Sequence, residues 1–121
     1  MPIAAYNLDA LDLQKLRARF PPKYTEIVQP HCTAYIGKQG PTGMPIHAKG
    51  KVYARVDDFE GVEVLLLSVE EQERRPDGNL FHITWSLTAD RKPRESNYII
   101  KHCQHEALSE CIEISLLLSE I

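Results

Sequence analysis

Hydrophobic residues recur along the chain in two rhythms, the three-to-four-residue period of a helix and the two-residue period of a strand. After Asp9, whose carboxylate suits a helix N-cap, Leu13, Leu16 and Phe20 recur at helical spacing, and Lys15, Arg17 and Arg19 fall mostly on the other face. Pro21-Pro22 ends that helix, because proline lacks an N–H and disfavours helical geometry just before it. Glu26–Ile36 reads as a strand, followed by a loop over Gly37–Pro45 rich in glycine and proline. Val52, Ala54 and Val56 alternate with Lys51, Tyr53 and Arg55 across Lys51–Asp57, and Val62–Val69 reads as a more buried strand. Asp58–Gly61 has the length of a hairpin connection between them. Glu70–Asn79 is charged, contains Pro76-Asp77-Gly78, and reads as an exposed turn. Leu80–Leu87 and Cys111–Leu118 alternate again, and Ser96–Glu106 reads as a short helix capped by Ser96.

These elements predict an α+β protein, a small bent antiparallel or barrel-like sheet of five to six strands with one or two helices. The 121 residues show no repeat, low-complexity tract or linker, so residues 1–121 are expected to form a single domain. Hydrophobic residues at 43% and charged residues at 26% exclude wholesale disorder. No apolar run approaches the ~20 residues of a membrane-spanning helix, and no secretory signal pattern opens the chain. Cys32, Cys103 and Cys111 lack framework spacing and suit a reducing compartment. The expectation is a soluble, cytoplasmic protein without membrane partners.

The formal charge of −3 hides an asymmetry. Residues 1–55 hold eight basic and three acidic side chains, and residues 56–121 hold six and fourteen. Within the acidic half, Arg91, Lys92, Arg94 and Lys101 surround only Glu95, and the two readings are scattered solvated charge or a groove for an anionic ligand where that cluster meets the basic first half. An extended duplex-binding surface is not expected, since phosphate contacts call for a strongly basic face.

Two strands carry one signature, His31-Cys32-Thr33-Ala34 and His82-Ile83-Thr84-Trp85. Side chains two apart on a strand share a face, so His31, Thr33 and Tyr35 project together, as do His82, Thr84 and Ser86. Opposite the second set lie Phe81, Ile83, Trp85 and Leu87, a core face. Imidazole titrates near neutral pH, so one histidine can take a proton while the other gives one. Each threonine adds a hydroxyl for a phosphate oxygen. Two such pairs facing a phosphodiester supply a general base, a general acid and two anchors, with no metal or cofactor required.

These motifs resemble the paired His-x-Thr/Ser-x motifs of the two-histidine (2H) phosphoesterases. Pro21-Pro22-Lys23-Tyr24-Thr25 looks like the lead-in of small bacterial members. Arg91-Lys92-Pro93 through Ser96-Asn97 resembles a Lys-Pro-x-x-Ser-Asn tail in the cyclic-phosphodiesterase-like domains of RNA-repair ligases. The resemblance covers roughly residues 4–118 and implies action at a 2′,3′-cyclic phosphate or related RNA end. It places His31, Thr33, His82 and Thr84 in the pocket, with His31 and His82 as the acid–base pair. Typical members are longer, and Ala34 stands where a larger apolar residue is usual.

Lys92, Ser96 and Asn97 are candidates to cradle a phosphate, and Tyr35 and Tyr53 to stack on a base. His102, Cys103, His105 and Cys111 offer zinc donors without a second compact ligand pair, so no metal site is assigned. His47 reads as a surface or lid residue. The reading is thus a metal-independent phosphoesterase whose partner is an RNA end or a nucleotide with a cyclic phosphate. The competing readings are a non-catalytic module for single-stranded RNA or nucleotide phosphate, possibly oligomeric, and an assembly protein.

Overall fold

The computed structural model describes residues 3–27, 30–36 and 44–120. In chain order the elements are β1 (Ile3–Leu8), α1 (Ala10–Arg19), β2 (Glu26–Ile27), β3 (His31–Ile36) and β4 (His47–Asp57), then β5 (Val62–Val69), β6 (His82–Leu87), α2 (Glu95–His102) and β7 (His105–Glu120). The strands pair antiparallel in the order β6-β3-β1-β7-β4-β5, and β5 pairs back to β6, so six strands close into a barrel. The short β2 adds outside the ring, on β6. This is the barrel-like α+β architecture the periodicity predicts.

The barrel interior is filled by Tyr6, Cys32, Ala34, Val52, Leu65, Leu67, Ile83, Trp85, Ile114 and Leu116. α1 adds Leu16, with Leu13 and Phe20 beside it, at the end where β1 stops. Asp9 caps α1 as expected, accepting from the Leu11 and Asp12 amides, and the Trp85 indole donates to the Phe20 carbonyl at 2.8 Å just ahead of the two prolines. Gly50 belongs to the interior because a Cβ there would lie 2.9 Å from Leu116 Cδ1.

A second apolar layer lies outside the barrel, where α2 packs Ile99 and Ile100 over Ala54, Val56, Val62, Val64 and Leu66. This explains the nearly continuous apolar run of β5: its odd positions Leu65 and Leu67 face the interior, and Leu66 faces the helix. The register of β4 against β5 shifts between Val52 and Ala54, so Val52 faces in and Ala54 and Val56 face α2. Their simple alternation in sequence thus serves two layers rather than one.

Several boundaries differ from the expectation. β1 was not foreseen, Glu26–Ile36 divides into β2 and β3, and β7 begins at His105 rather than Cys111. His47 opens β4 instead of lying in the loop. Most of the Gly37–Pro45 loop lies outside the described residues. α2 starts at Glu95 and ends at His102, and Ser96 is not its cap. Glu95 accepts from the Lys92 amide at 2.6 Å and from Arg91 at 2.8 Å, which starts the helix early and turns Ser96 inward, fully buried. Among the described residues no helix is long and apolar enough to cross a membrane.

Candidate functional site

In β3 and β6, Cys32, Ala34, Ile83 and Trp85 are buried in the barrel, and alternation sends His31, Thr33, His82 and Thr84 to the outer side of the wall. The two strands are bridged at Cys32–Ile83. Antiparallel register at that pair sets His31 opposite Thr84 and Thr33 opposite His82. Each histidine therefore faces the threonine of the other motif, and the imidazoles are diagonal neighbours, a relation that puts such residues about 7–8 Å apart. All four side chains are half-buried.

His82 Nδ1 lies 3.1 Å from the Leu80 carbonyl. A carbonyl oxygen only accepts, so Nδ1 carries the proton and Nε2 keeps its lone pair. The His82 pKa is lowered, first by burial and further by Arg75 and His31, against the upward pull of the Leu80 carbonyl and Asp77. Arg75 is itself buried and held by both oxygens of Asp77, at 2.6 and 3.1 Å, so its charge stays fixed beside the ring. With Nδ1 engaged and its pKa lowered, His82 offers Nε2 as an acceptor next to a second imidazole.

α2 completes the patch from one side. The Thr84 and Ser96 hydroxyls are 2.8 Å apart, which orients Thr84 through a buried partner. Asn97, the next residue, is exposed and lines an adjoining cleft. Lys92 is exposed, and its amide is taken up by Glu95. The side chain of Tyr35 lies outside the described residues. His31, Thr33, His82, Thr84 and Ser96 thus come together, Asn97 flanks them, and nothing described brings Lys92 to them. The anionic-ligand groove considered around Arg91 is altered, because Arg91 is bound by Asp58 at 2.9 Å and by Glu95. His102, Cys103, His105 and Cys111 do not converge: among the described residues no three His, Cys, Asp or Glu are grouped to hold a metal ion.

A polar network at the α1 end of the barrel escaped the sequence reading. Glu63 is buried and accepts from the Lys23 amide (3.1 Å), Ser86 Oγ (2.7 Å) and Arg55 Nε (2.9 Å). Asp57 accepts from Lys23 Nζ (2.7 Å), Tyr24 Oη (2.6 Å) and the Phe59 amide (2.8 Å). Burial pushes the Asp57 carboxyl up, but Lys23, Tyr24 and the Phe59 amide outweigh it and hold the pKa below its ordinary value. Burial and then Asp57 push the Tyr24 phenol up to about 12. Ser86, expected on an open face with His82 and Thr84, is instead fully buried by this network. The sequence signals were Glu63 inside an apolar strand and Arg55 and Asp57 two apart.

Compared with protein-family profiles, curated proteins and solved structures, the chain matches none of them.

Proposed function

We propose that the outer face of β3 and β6 is the active site of a metal-independent phosphoesterase acting on 2′,3′-cyclic phosphate or related RNA ends, of the two-histidine kind its motifs resemble. The observation that carries this reading is the register at Cys32–Ile83, which puts both His-x-Thr pairs on one face with each histidine across from the other pair's threonine.

In this scheme His82 is the general base. Its Nδ1–H is held by Leu80, and its lowered pKa keeps Nε2 unprotonated at neutral pH, ready to take a proton from water. The water oxygen bonds to phosphorus as one ring P–O bond breaks, and His31 gives its proton to the departing ribose oxygen. Thr33 and Thr84 donate to the non-bridging oxygens, Thr84 steadied by Ser96. Asn97, in the first turn of α2, is the flanking contact, and Tyr35 is the stacking candidate on β3.

The test is hydrolysis of nucleoside 2′,3′-cyclic phosphates by the purified protein, with His31→Ala and His82→Ala variants. Loss of a general acid or base costs about 10²–10⁴-fold in rate; His31→Ala should melt like the parent, and His82→Ala should lose only about 1 kcal/mol with its Leu80 hydrogen bond and stay folded. A variant with nearly full activity removes that histidine from the mechanism. Binding of single-stranded RNA without turnover of any cyclic phosphate would favour the non-catalytic module instead.

A further inference from the structure

Beside the histidine–threonine patch, α2, the turn before β6 and the start of β7 enclose a cleft of about 210 Å³. Arg74, Lys101 and His105 line it together with Asn79 and Asn97, over a floor of Leu80 and Ile100. Two of these residues tie it to the patch. The Leu80 carbonyl is the partner of His82 Nδ1, and Asn97 follows Ser96, whose hydroxyl meets Thr84.

The two cations of the cleft, Arg74 and Lys101, have no carboxylate within ion-pair distance among the described residues, whereas the neighbouring Arg75 is taken up by Asp77. Among the described residues no carboxylate lines the cleft, and Glu106, next to His105, sits 4.0 Å from Arg55 instead. Arg74 donates to the Gly78 carbonyl at 2.7 Å, which aims the guanidinium without neutralising it. His105 Nε2 is held at 2.7 Å from the Ile100 carbonyl. The volume is below the roughly 300–1,000 Å³ of a complete small-molecule pocket, so it suits one anionic group of a larger ligand.

Resting on the reading above, we propose that this cleft is a second anion subsite that holds an internal phosphodiester of an oligonucleotide whose terminal cyclic phosphate lies at His31 and His82. The substrate is then an RNA strand end in preference to a mononucleotide. Arg74 offers a fork of donors and Lys101 a point charge to the phosphate oxygens, and Asn79 and Asn97 offer amide donors at its edges.

The experiment compares uridine 2′,3′-cyclic phosphate with a hexaribonucleotide ending in a 2′,3′-cyclic phosphate, for the parent, Lys101→Ala and Arg74→Ala/Lys101→Ala. The parent should prefer the hexanucleotide by at least about tenfold in kcat/KM, given the strength of hydrogen bonds to charged groups. The double variant should lose that preference and leave mononucleotide turnover unchanged. The dependence of log kcat/KM on log salt should flatten by about 0.7 per cation removed. A preference retained in the double variant, or absent from the parent, overturns the subsite. If neither substrate turns over, the reaction is refuted, and anisotropy of a labelled hexaribonucleotide decides the subsite. Binding weakened by Lys101→Ala sustains it, and binding indifferent to both substitutions overturns it.

Discussion

Replacing Glu63 by alanine removes the acceptor on which three groups converge: the Arg55 guanidinium, the Lys23 amide and the Ser86 hydroxyl. Breaking a buried ion pair by deleting one partner costs about 3–5 kcal/mol, because the other charge is left uncompensated. Arg55 is one-quarter exposed and keeps Asp57 at 3.4 Å, so the lower end applies, about 3 kcal/mol. For a chain of this size that corresponds to a fall in Tm of roughly 10 °C. Urea unfolding followed by the fluorescence of Trp85, the one tryptophan of the chain, measures it directly. The cycle with Arg55→Ala supplies the control: residues in one network couple by about 0.5–3 kcal/mol, so the double variant should lose less than the two singles together. A loss below about 1 kcal/mol in the single variant, or strict additivity, would refute the network as a stabilising unit.

Three further outcomes follow from the same geometry. Gly50→Ala places a methyl group 2.9 Å from Leu116 Cδ1 and should lower stability by about 1–3 kcal/mol, read from the urea midpoint. Asp57 has a folded pKa below its unfolded value, so its contribution is present above about pH 4 and is lost as pH falls through the folded value. Urea midpoints taken from pH 7 down to 3 should fall more steeply in the parent than in Asp57→Asn. If His82 is the base of the proposed reaction, its lowered pKa puts the acid limb of kcat/KM below pH 6.5, with the rate rising as His82 loses its proton; a limb above that value refutes the assignment.

Local chemistry explains what could be read from the chain and what could not. α1 was legible because its cap and its stop are both local, Asp9 at one end and Pro21-Pro22 at the other. β1 was not, because Ala4 and Ala5 have little strand preference and β1 exists by pairing with β3 and β7, which are distant in sequence. The shift at Tyr53 follows from the second layer under α2, which no alternation count contains. Ser96 has the composition of a cap, yet tertiary contact with Thr84 claimed it. For the site, parity alone grouped His31 with Thr33 and His82 with Thr84. That β3 and β6 are neighbours is a property of barrel closure, and the Arg74–Lys101–His105 cleft draws on three separated segments.

The placement of the two histidines rests on little pairing between their own strands, since Cys32–Ile83 is the bridged pair that joins β3 to β6. The rigidity comes from elsewhere. On one side of Thr84, Ser86 is fastened to Glu63 and to the Tyr24 amide at 3.1 Å, and Trp85 to Phe20. On the other, His82 is fastened to Leu80, whose neighbour Phe81 donates its amide to Glu73 at 3.0 Å. β3 is held along its length by β1, through pairs from Ile3–Ile36 to Asn7–His31. Each strand is thus fixed by a different part of the barrel, and on the outer face between them His31, Thr33, His82 and Thr84 stay half-buried. Substitutions at Cys32, Ile83 or Trp85 act on stability, and substitutions at His31, Thr33, His82 or Thr84 leave the interior filled. That separation lets one strand pair hold the barrel together with one face and present the paired histidines and threonines on the other.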